Sequence, residues 1–267
     1  MQVAKNYRYL LIALLAALCV LWLMPVYNAV TASLMTHGWG NYEKVLGFKL
    51  KGQLFLPKML INSVIVVGTS ILLILLVSML AAFAYSKMKF RGRHFFYLLT
   101  LGFFAVPVIT ILQPNTVILN YLGLRNTYLA MIIPMTTINI PIALLIFKNY
   151  FDGISNAFME AAMIDGCTRL QTFIKLIIPI SVPAIVNVLI VVFLNGWNDY
   201  VIPLMFNSKP ELFTLTLAPG FFSTSMYSGE IGTLYASIIV IAVPTLLFYL
   251  FMQRYIIEGL TAGGIKE

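Results

Sequence analysis

Two groups of residues in this sequence have types and spacings suited to chemistry, and neither is a nucleophile beside its base. The first is a short polar stretch, Glu160-Ala161-Ala162-Met163-Ile164-Asp165-Gly166-Cys167, set between apolar segments and followed by Arg169 and Lys175. Acids flanking alanines suit docking better than catalysis. The small Ala161 and Ala162 let another surface approach closely, and Glu160 and Asp165 frame that contact with charge. The second group is Asn195, Trp197, Asn198 and Asp199, with Tyr200 beside them, inside an apolar run. An ionisable group in such a run is costly to bury and is a functional candidate by default. Amides beside aromatic faces suit a neutral polar ligand, and Asn139, between Pro134 and Pro141, is a weaker member of this set. The competing role for Asp199 is structural, bonding freed backbone or a partner chain.

Other chemistries lack their residues. No G-x-x-x-x-G-K-[ST] phosphate loop occurs, so the chain is not expected to hydrolyse ATP, and no catalytic residues are assigned. His37 and His94 read as surface residues. Cys19 and Cys167 fall in unlike settings without a His or Cys at metal spacing, so neither a disulfide nor a metal site is expected. A net charge of +8 without an RNA-recognition motif, a zinc finger or interleaved aromatics and arginines speaks for membrane topology and against a nucleic-acid partner.

The elements that position these residues are membrane helices. The 267 residues are 61% hydrophobic and 10% charged, with a mean hydropathy of +0.94, far from the balance of a soluble domain. At about 20 residues per span, the pattern predicts an all-α integral membrane protein with six transmembrane helices, near 9–30, 59–85, 95–112, 128–147, 179–206 and 231–255. Residues 1–267 form a single membrane domain in this reading. The first run is too long for a signal-peptide core and lacks a cleavage pattern, so it reads as a retained span. Pro107 predicts a kink in the third span; Pro134 and Pro141 predict a bent fourth helix that either packs irregularly or walls a cavity.

Bases orient the spans. Eleven of the 17 Lys and Arg residues fall on the side that holds both termini, including the run Lys87, Lys89, Arg91 and Arg93, against six on the other. Both termini and the connector at about 149–178 are then cytoplasmic.

That connector reads as helix, glycine turn, helix. Asn156 is a candidate N-cap, Glu160 sits near the favourable end of the helix dipole, and Gly166 suits a C-terminal turn. Asp165 and Arg169 would pair if helix continued through them. Phe158, Ala161, Ala162, Phe173 and Leu176 supply apolar contact, and Pro179 and Pro183 mark the next span. An amphipathic connector on the membrane surface is the plainer alternative.

The connector resembles the EAA loop of permease subunits of ATP-binding-cassette importers. That loop reads Glu-Ala-Ala, two residues, Asp-Gly-Ala, a spacer ending in Phe, then two prolines four apart. Glu160, Ala161, Ala162, Asp165, Gly166, Phe173, Pro179 and Pro183 stand in that register, with Cys167 replacing the family's Ala and Ser155 where sugar permeases commonly have Pro. The stretch from Trp197 looks like the Trp-Asn-Glu-Phe element of carbohydrate permeases, with Asp199 for Glu, and the tail from Arg254 looks like that of maltose-type permeases.

The resemblance implies a multi-pass permease in a bacterial or archaeal cytoplasmic membrane, surrounded by lipid. Its implied partners are a second homologous permease, two ATP-binding subunits that carry ATP and Mg, and an extracytoplasmic sugar-binding protein. No cofactor is expected on this chain. Glu160, Ala161, Ala162, Asp165, Gly166, Phe173 and Pro179 would couple to the ATPase, while Thr261, Gly263 and Gly264 in the tail would touch it. Asn139, Asn195, Trp197, Asn198 and Asp199 are substrate-path candidates. The outer loop from Asn207 to Glu230, with Pro219-Gly220-Phe221-Phe222, would either reach toward the binding protein as an apolar finger or pack on its own bundle. A polyol or sugar phosphate remains an alternative substrate, and an ion-coupled secondary transporter the remoter alternative mechanism.

Overall fold

Apolar runs separated by glycine, proline and short polar turns give this chain an almost wholly helical structure. The computed structural model describes residues 2–223 and 230–262, with side chains for 9–223 and 230–255. The order begins α1 (Gln2–Ser33), α2 (Gly40–Gly47), a hairpin of β1 (Lys49–Leu50) and β2 (Gln53–Leu54), α3 (Phe55–Lys87), α4 (Arg93–Gly102), α5 (Val108–Tyr121) and α6 (Leu129–Asp152). It continues through α7 (Asn156–Ile164), α8 (Arg169–Thr172), α9 (Ile178–Ile180), α10 (Val182–Trp197), α11 (Val201–Phe206), α12 (Ala218–Phe222) and α13 (Ile231–Ala262).

Among the described residues, four helical segments are long and apolar enough to cross a membrane: Tyr9–Ser33, Phe55–Lys87, Leu129–Asp152 and Ile231–Tyr255. The expected spans at 95–112 and 179–206 are not continuous helices. Arg93–Ala105 meets Val108–Tyr121 at 101°, and Arg169–Ile180 meets Val182–Trp197 at 75°. Proline explains both breaks. Pro107 drives Val106 to φ −87°, ψ 116° and is itself extended, so the helix restarts at Val108. Pro183 has no N–H for the preceding turn, and Ser181 leaves helical geometry at ψ 9°. The 179–206 segment breaks again after Trp197, at Asn198–Tyr200. Pro134 and Pro141, in contrast, lie inside a continuous α6, which runs on to Asp152.

The chain divides into two compact units, Met1–Lys58 with Leu217–Pro244, and Met59–Thr216 with Thr245–Glu267. In the first, buried Asn41 donates to the carbonyls of Ser33 at 2.9 Å and Met35 at 2.7 Å. Glu230 accepts from Lys44 at 2.9 Å and His37 at 3.1 Å. These hydrogen bonds, Lys44's foremost, hold its carboxyl below the usual carboxylate range. The Phe221–Phe222 pair is not an exposed finger. Phe222 is 1% exposed, and both rings pack on Phe48 at 5.6 Å.

The second unit is built on α3, α6 and α10. Lipid removes the hydrophobic drive between helices, so close packing and small polar residues bring them together. Along α3 a buried stripe includes Asn62, Ser63, Ser70, Ile74, Ser78 and Ala82. Gly196 of α10 sits where an added Cβ would be 3.1 Å from Met135 Sδ, so α10 lies close against α6. Asn62 donates to the carbonyls of Glu211 and Phe213 at 2.9 Å and accepts from the Tyr128 hydroxyl at 2.7 Å. A 207–216 segment with little helix is thereby tied to the bundle.

Candidate functional site

The polar connector builds its own rigid shape. Ser155, not Asn156, caps α7: its side chain accepts from Ala157 N at 3.3 Å, and Asn156 is the first helical residue. At the other end Gly166 takes φ +77°. Cys167 N donates to Ala162 O at 2.9 Å and Gly166 N to Met163 O at 3.1 Å, the paired bonds of a Schellman stop. Helix therefore does not run through to Arg169, and the expected helical pairing of Asp165 with Arg169 is lost. A capping box restarts the chain: Gln171 N donates to Thr168 Oγ1 at 3.3 Å, and Thr168 N to Gln171 Oε1 at 2.8 Å. The Thr-x-x-Gln spacing is the local signal for this restart, and the expectation of helix, glycine turn, helix did not include it.

Packing determines which face remains available. Met159 of α7 and Phe173 point into the core, where the Phe173 ring lies 5.0 Å from Phe83. Glu160, Ala161, Asp165 and Gly166 are exposed, and Ala162 is half-buried. Apolar Phe158, Met163 and Ile164 are also exposed, Ile164 at 86%. Phe158 and Ala161 are thus on the open face, whereas Met159 supplies the anchor. Pro179 is exposed in the short α9. Tyr150 donates to Ile180 O at 2.8 Å, tying α6 to this segment. Lys87 Nζ donates to Ile154 O at 2.5 Å and to Asn156 Oδ1 at 3.2 Å. No local signal could reveal that clamp, because its partners are 67 and 69 residues away.

The second candidate group separates. Asn139 and Asn195 come together on a cavity of about 570 Å³, walled in part by Phe103, Phe104, Val108 and Pro141. Asn195 Nδ2 donates to Asn139 Oδ1 at 3.1 Å, and buried Asn139 donates to Met135 O at 2.8 Å. Among the described residues, no charged side chain lines the cavity. Its wall at Val106 and Val108 is the broken segment at Pro107, and Pro141 flanks Asn139.

Trp197, Asn198 and Asp199 do not line it. Trp197 is buried and stacked on Phe193 at 5.1 Å. Asn198 donates to Leu194 O at 2.8 Å. Asp199 Oδ1 accepts from Val201 N at 2.8 Å and Ile202 N at 3.1 Å, so it caps α11. The structure thus gives Asp199 the backbone-bonding role. Thr261 lies in the last turn of α13, while Gly263 and Gly264 fall outside the described residues.

A family model described as "binding-protein-dependent transport system inner membrane component" matches residues 74–260. The sulfoquinovosyl glycerol transport system permease protein SmoH of Agrobacterium fabrum is 33% identical over 211 residues, 78% of this chain and 72% of that protein. The arabinooligosaccharides transport system permease protein AraQ of Halalkalibacterium halodurans is 35% identical over 205 residues, 77% of this chain and 72% of that one. The trehalose/maltose transport system permease protein MalG of Thermococcus litoralis is 32% identical over 228 residues, 85% of this chain and 80% of that protein. Among solved structures, a bacterial ABC transporter involved in the import of the acidic polysaccharide alginate superposes with a TM-score of 0.77 at 22% identity, covering 93% of this chain and 96% of its counterpart. That likeness is one of fold.

Proposed function

The chain belongs to the family of binding-protein-dependent transport system inner membrane components, and we propose that it is a transmembrane permease subunit of an ATP-binding-cassette importer for a sugar or oligosaccharide. Each bent pair counts as one span in this reading, giving six spans with both termini cytoplasmic. The single domain of the sequence reading comprises both compact units. The chain is a transport subunit, and ATP with its Mg binds on two partner subunits. A second homologous permease completes the membrane pathway, and an extracytoplasmic protein delivers the sugar.

The observation that carries the mechanism is α7 with its Gly166 stop. It is a short helix anchored to the core through Met159, held at its root by Lys87, and open on the face that carries Glu160, Ala161 and Asp165. Such an element transmits a push without deforming. Closure of the ATP-binding subunits moves α7 as a rigid body, and the helices joined to it exchange one packing for another. The cavity at Asn139 and Asn195 lies on the substrate path. Its uncharged lining favours a neutral, hydroxyl-rich ligand over a phosphorylated one.

The test is to purify the tagged chain in mild detergent from its native membrane, identify what accompanies it and reconstitute the product. The expected outcome is a phosphate-loop ATPase and a second multi-span chain, with uptake dependent on ATP and on the cognate binding protein. Uptake by the chain alone, without ATP, would overturn the reading in favour of a secondary transporter.

A further inference from the structure

Next to the proposed site, the feature with an unassigned use is α4 with the turn before it and the groove along it, which shares only Phe103 and Val106 with the lining of the site's cavity. None of the residues of α4 is buried. Along it runs an apolar groove of about 480 Å³ lined by Phe95, Leu98, Leu99, Gly102, Phe103 and Val106. Phe95 and Phe103 are each 64% exposed. Gly102 has ordinary helical angles, φ −57° and ψ −26°, and a Cβ there would meet nothing within 4 Å. No left-handed turn or close packing requires that glycine. Its effect is to keep the groove open.

The head of the groove is strongly basic. Lys89 and Arg91 stand on the exposed turn immediately before α4 and Arg93 is its exposed first residue, and Gly92 at φ +82° lets the chain reverse there. Arg93 Nη1 donates to Met88 O at 3.3 Å, and Phe90 lies 6.0 Å from the Tyr85 ring, so the turn is held in shape. The sequence has no acidic residue between Glu43 and Asp152, and among the described residues none of the three bases forms an ion pair. At about 1.5 Å per residue, α4 spans roughly one leaflet of a hydrocarbon core about 30 Å thick. Beyond it the chain bends by 101°.

We propose that the basic turn and the α4 groove together form a binding site for one anionic phospholipid, its phosphate on Lys89, Arg91 and Arg93 and one acyl chain in the groove opened by Gly102. The site requires only that the chain spans a membrane, so it is independent of what is transported. A juxtamembrane base near an anionic headgroup contributes enough for removal of two to weaken retention about thirty-fold.

The experiment uses the chain as purified, with whatever subunits accompany it. Phosphatidylglycerol and phosphatidylcholine of identical acyl chains are added in turn, and bound lipid is counted by native mass spectrometry. One phosphatidylglycerol per copy is expected, with phosphatidylcholine retained at least about tenfold less well. Arg91→Gln with Arg93→Gln should abolish the preference. Gly102→Leu, which fills the groove without changing charge, should also lose the lipid, and Leu99→Phe provides a second filled groove if Gly102→Leu assembles poorly. Equal retention of the two lipids, wild-type retention by both groove variants, or a photo-crosslinker at position 98 capturing another membrane chain in place of lipid would each overturn the proposal. Any of these together with normal ATP-dependent uptake would leave the importer reading standing.

Discussion

The ammonium of Lys87 lies 2.5 Å from the carbonyl oxygen of Ile154, so the last residue of α3 is fastened to the turn that leads into α7. A second bond to Asn156 Oδ1, at 3.2 Å, extends the clamp into the first turn of α7. A hydrogen bond from a charged donor is worth about 1.5–3 kcal/mol. Motion of α7 that preserved these bonds would carry α3 with it. Lys87→Met keeps the length of the side chain and removes the donor. It should lower ATP-dependent uptake about tenfold while the purified subunit composition stays the same, and Lys87→Arg should recover much of the loss. Equal uptake by the Met variant and the wild type would show that the clamp does not transmit motion.

Gly166 presents a different requirement. At φ +77° it provides a position that an L-residue occupies only at a cost of about 1–2 kcal/mol, and its N–H bonds to Met163. Gly166→Pro fails on both counts, because proline fixes φ near −65° and has no N–H. Glu160→Lys with Asp165→Lys instead keeps the backbone and reverses the charge framing Ala161 and Ala162. Both variants should insert into the membrane yet uncouple ATP hydrolysis from uptake. Normal uptake by both would remove α7 from the mechanism.

Much of this architecture was legible because apolar runs and bases act locally. The long helices, the glycine stop at Gly166 and the Thr168 restart all follow from residues within one or two turns. Pro107 was visible as a kink and Pro183 as a marker of entry to the next span, but a proline shows only that an N–H is missing. Pro141 is absorbed within α6, whereas Pro107 accompanies a right-angled bend, and neighbours distant in sequence decide between those outcomes. The same limit applies to the site. Asn139 and Asn195 meet across 56 residues. Asp199, judged expensive by its apolar surroundings, is satisfied by two N–H groups next to it in the chain.

Glu230 provides a pH test of the first compact unit. Hydrogen bonds from Lys44 and then His37 lower its carboxyl pKa in the folded chain. The linked stabilisation is therefore present above the ordinary glutamate value of about 4.3 and is lost as the pH falls through the lower folded value. With His37→Gln as background, so that Lys44 is the remaining partner, the thermal midpoint in detergent should exceed that of the added Glu230→Gln variant at pH 6. The gap should close in acid below the ordinary range. A gap that persisted there would mean that the carboxylate pairing is not its source.

Asp199 separates the importer from an ion-driven carrier. A proton or cation site needs a carboxylate, whereas a helix cap needs only an acceptor oxygen. Asp199 Oδ1 accepts from Val201 N and Ile202 N, and the amide oxygen of asparagine serves the same two donors. Asp199→Asn should thus retain near-wild-type ATP-dependent uptake and thermal stability, while Asp199→Ala should lose about 1 kcal/mol of stability with the cap. Uptake measured in vesicles with and without ATP, and with and without an imposed proton or sodium gradient, distinguishes the two roles. If Asp199→Asn abolished uptake that a gradient alone drives in the wild type, the carboxylate would be an ion site. If uptake followed ATP and survived the substitution, Asp199 would act as the helix cap that its hydrogen bonds describe.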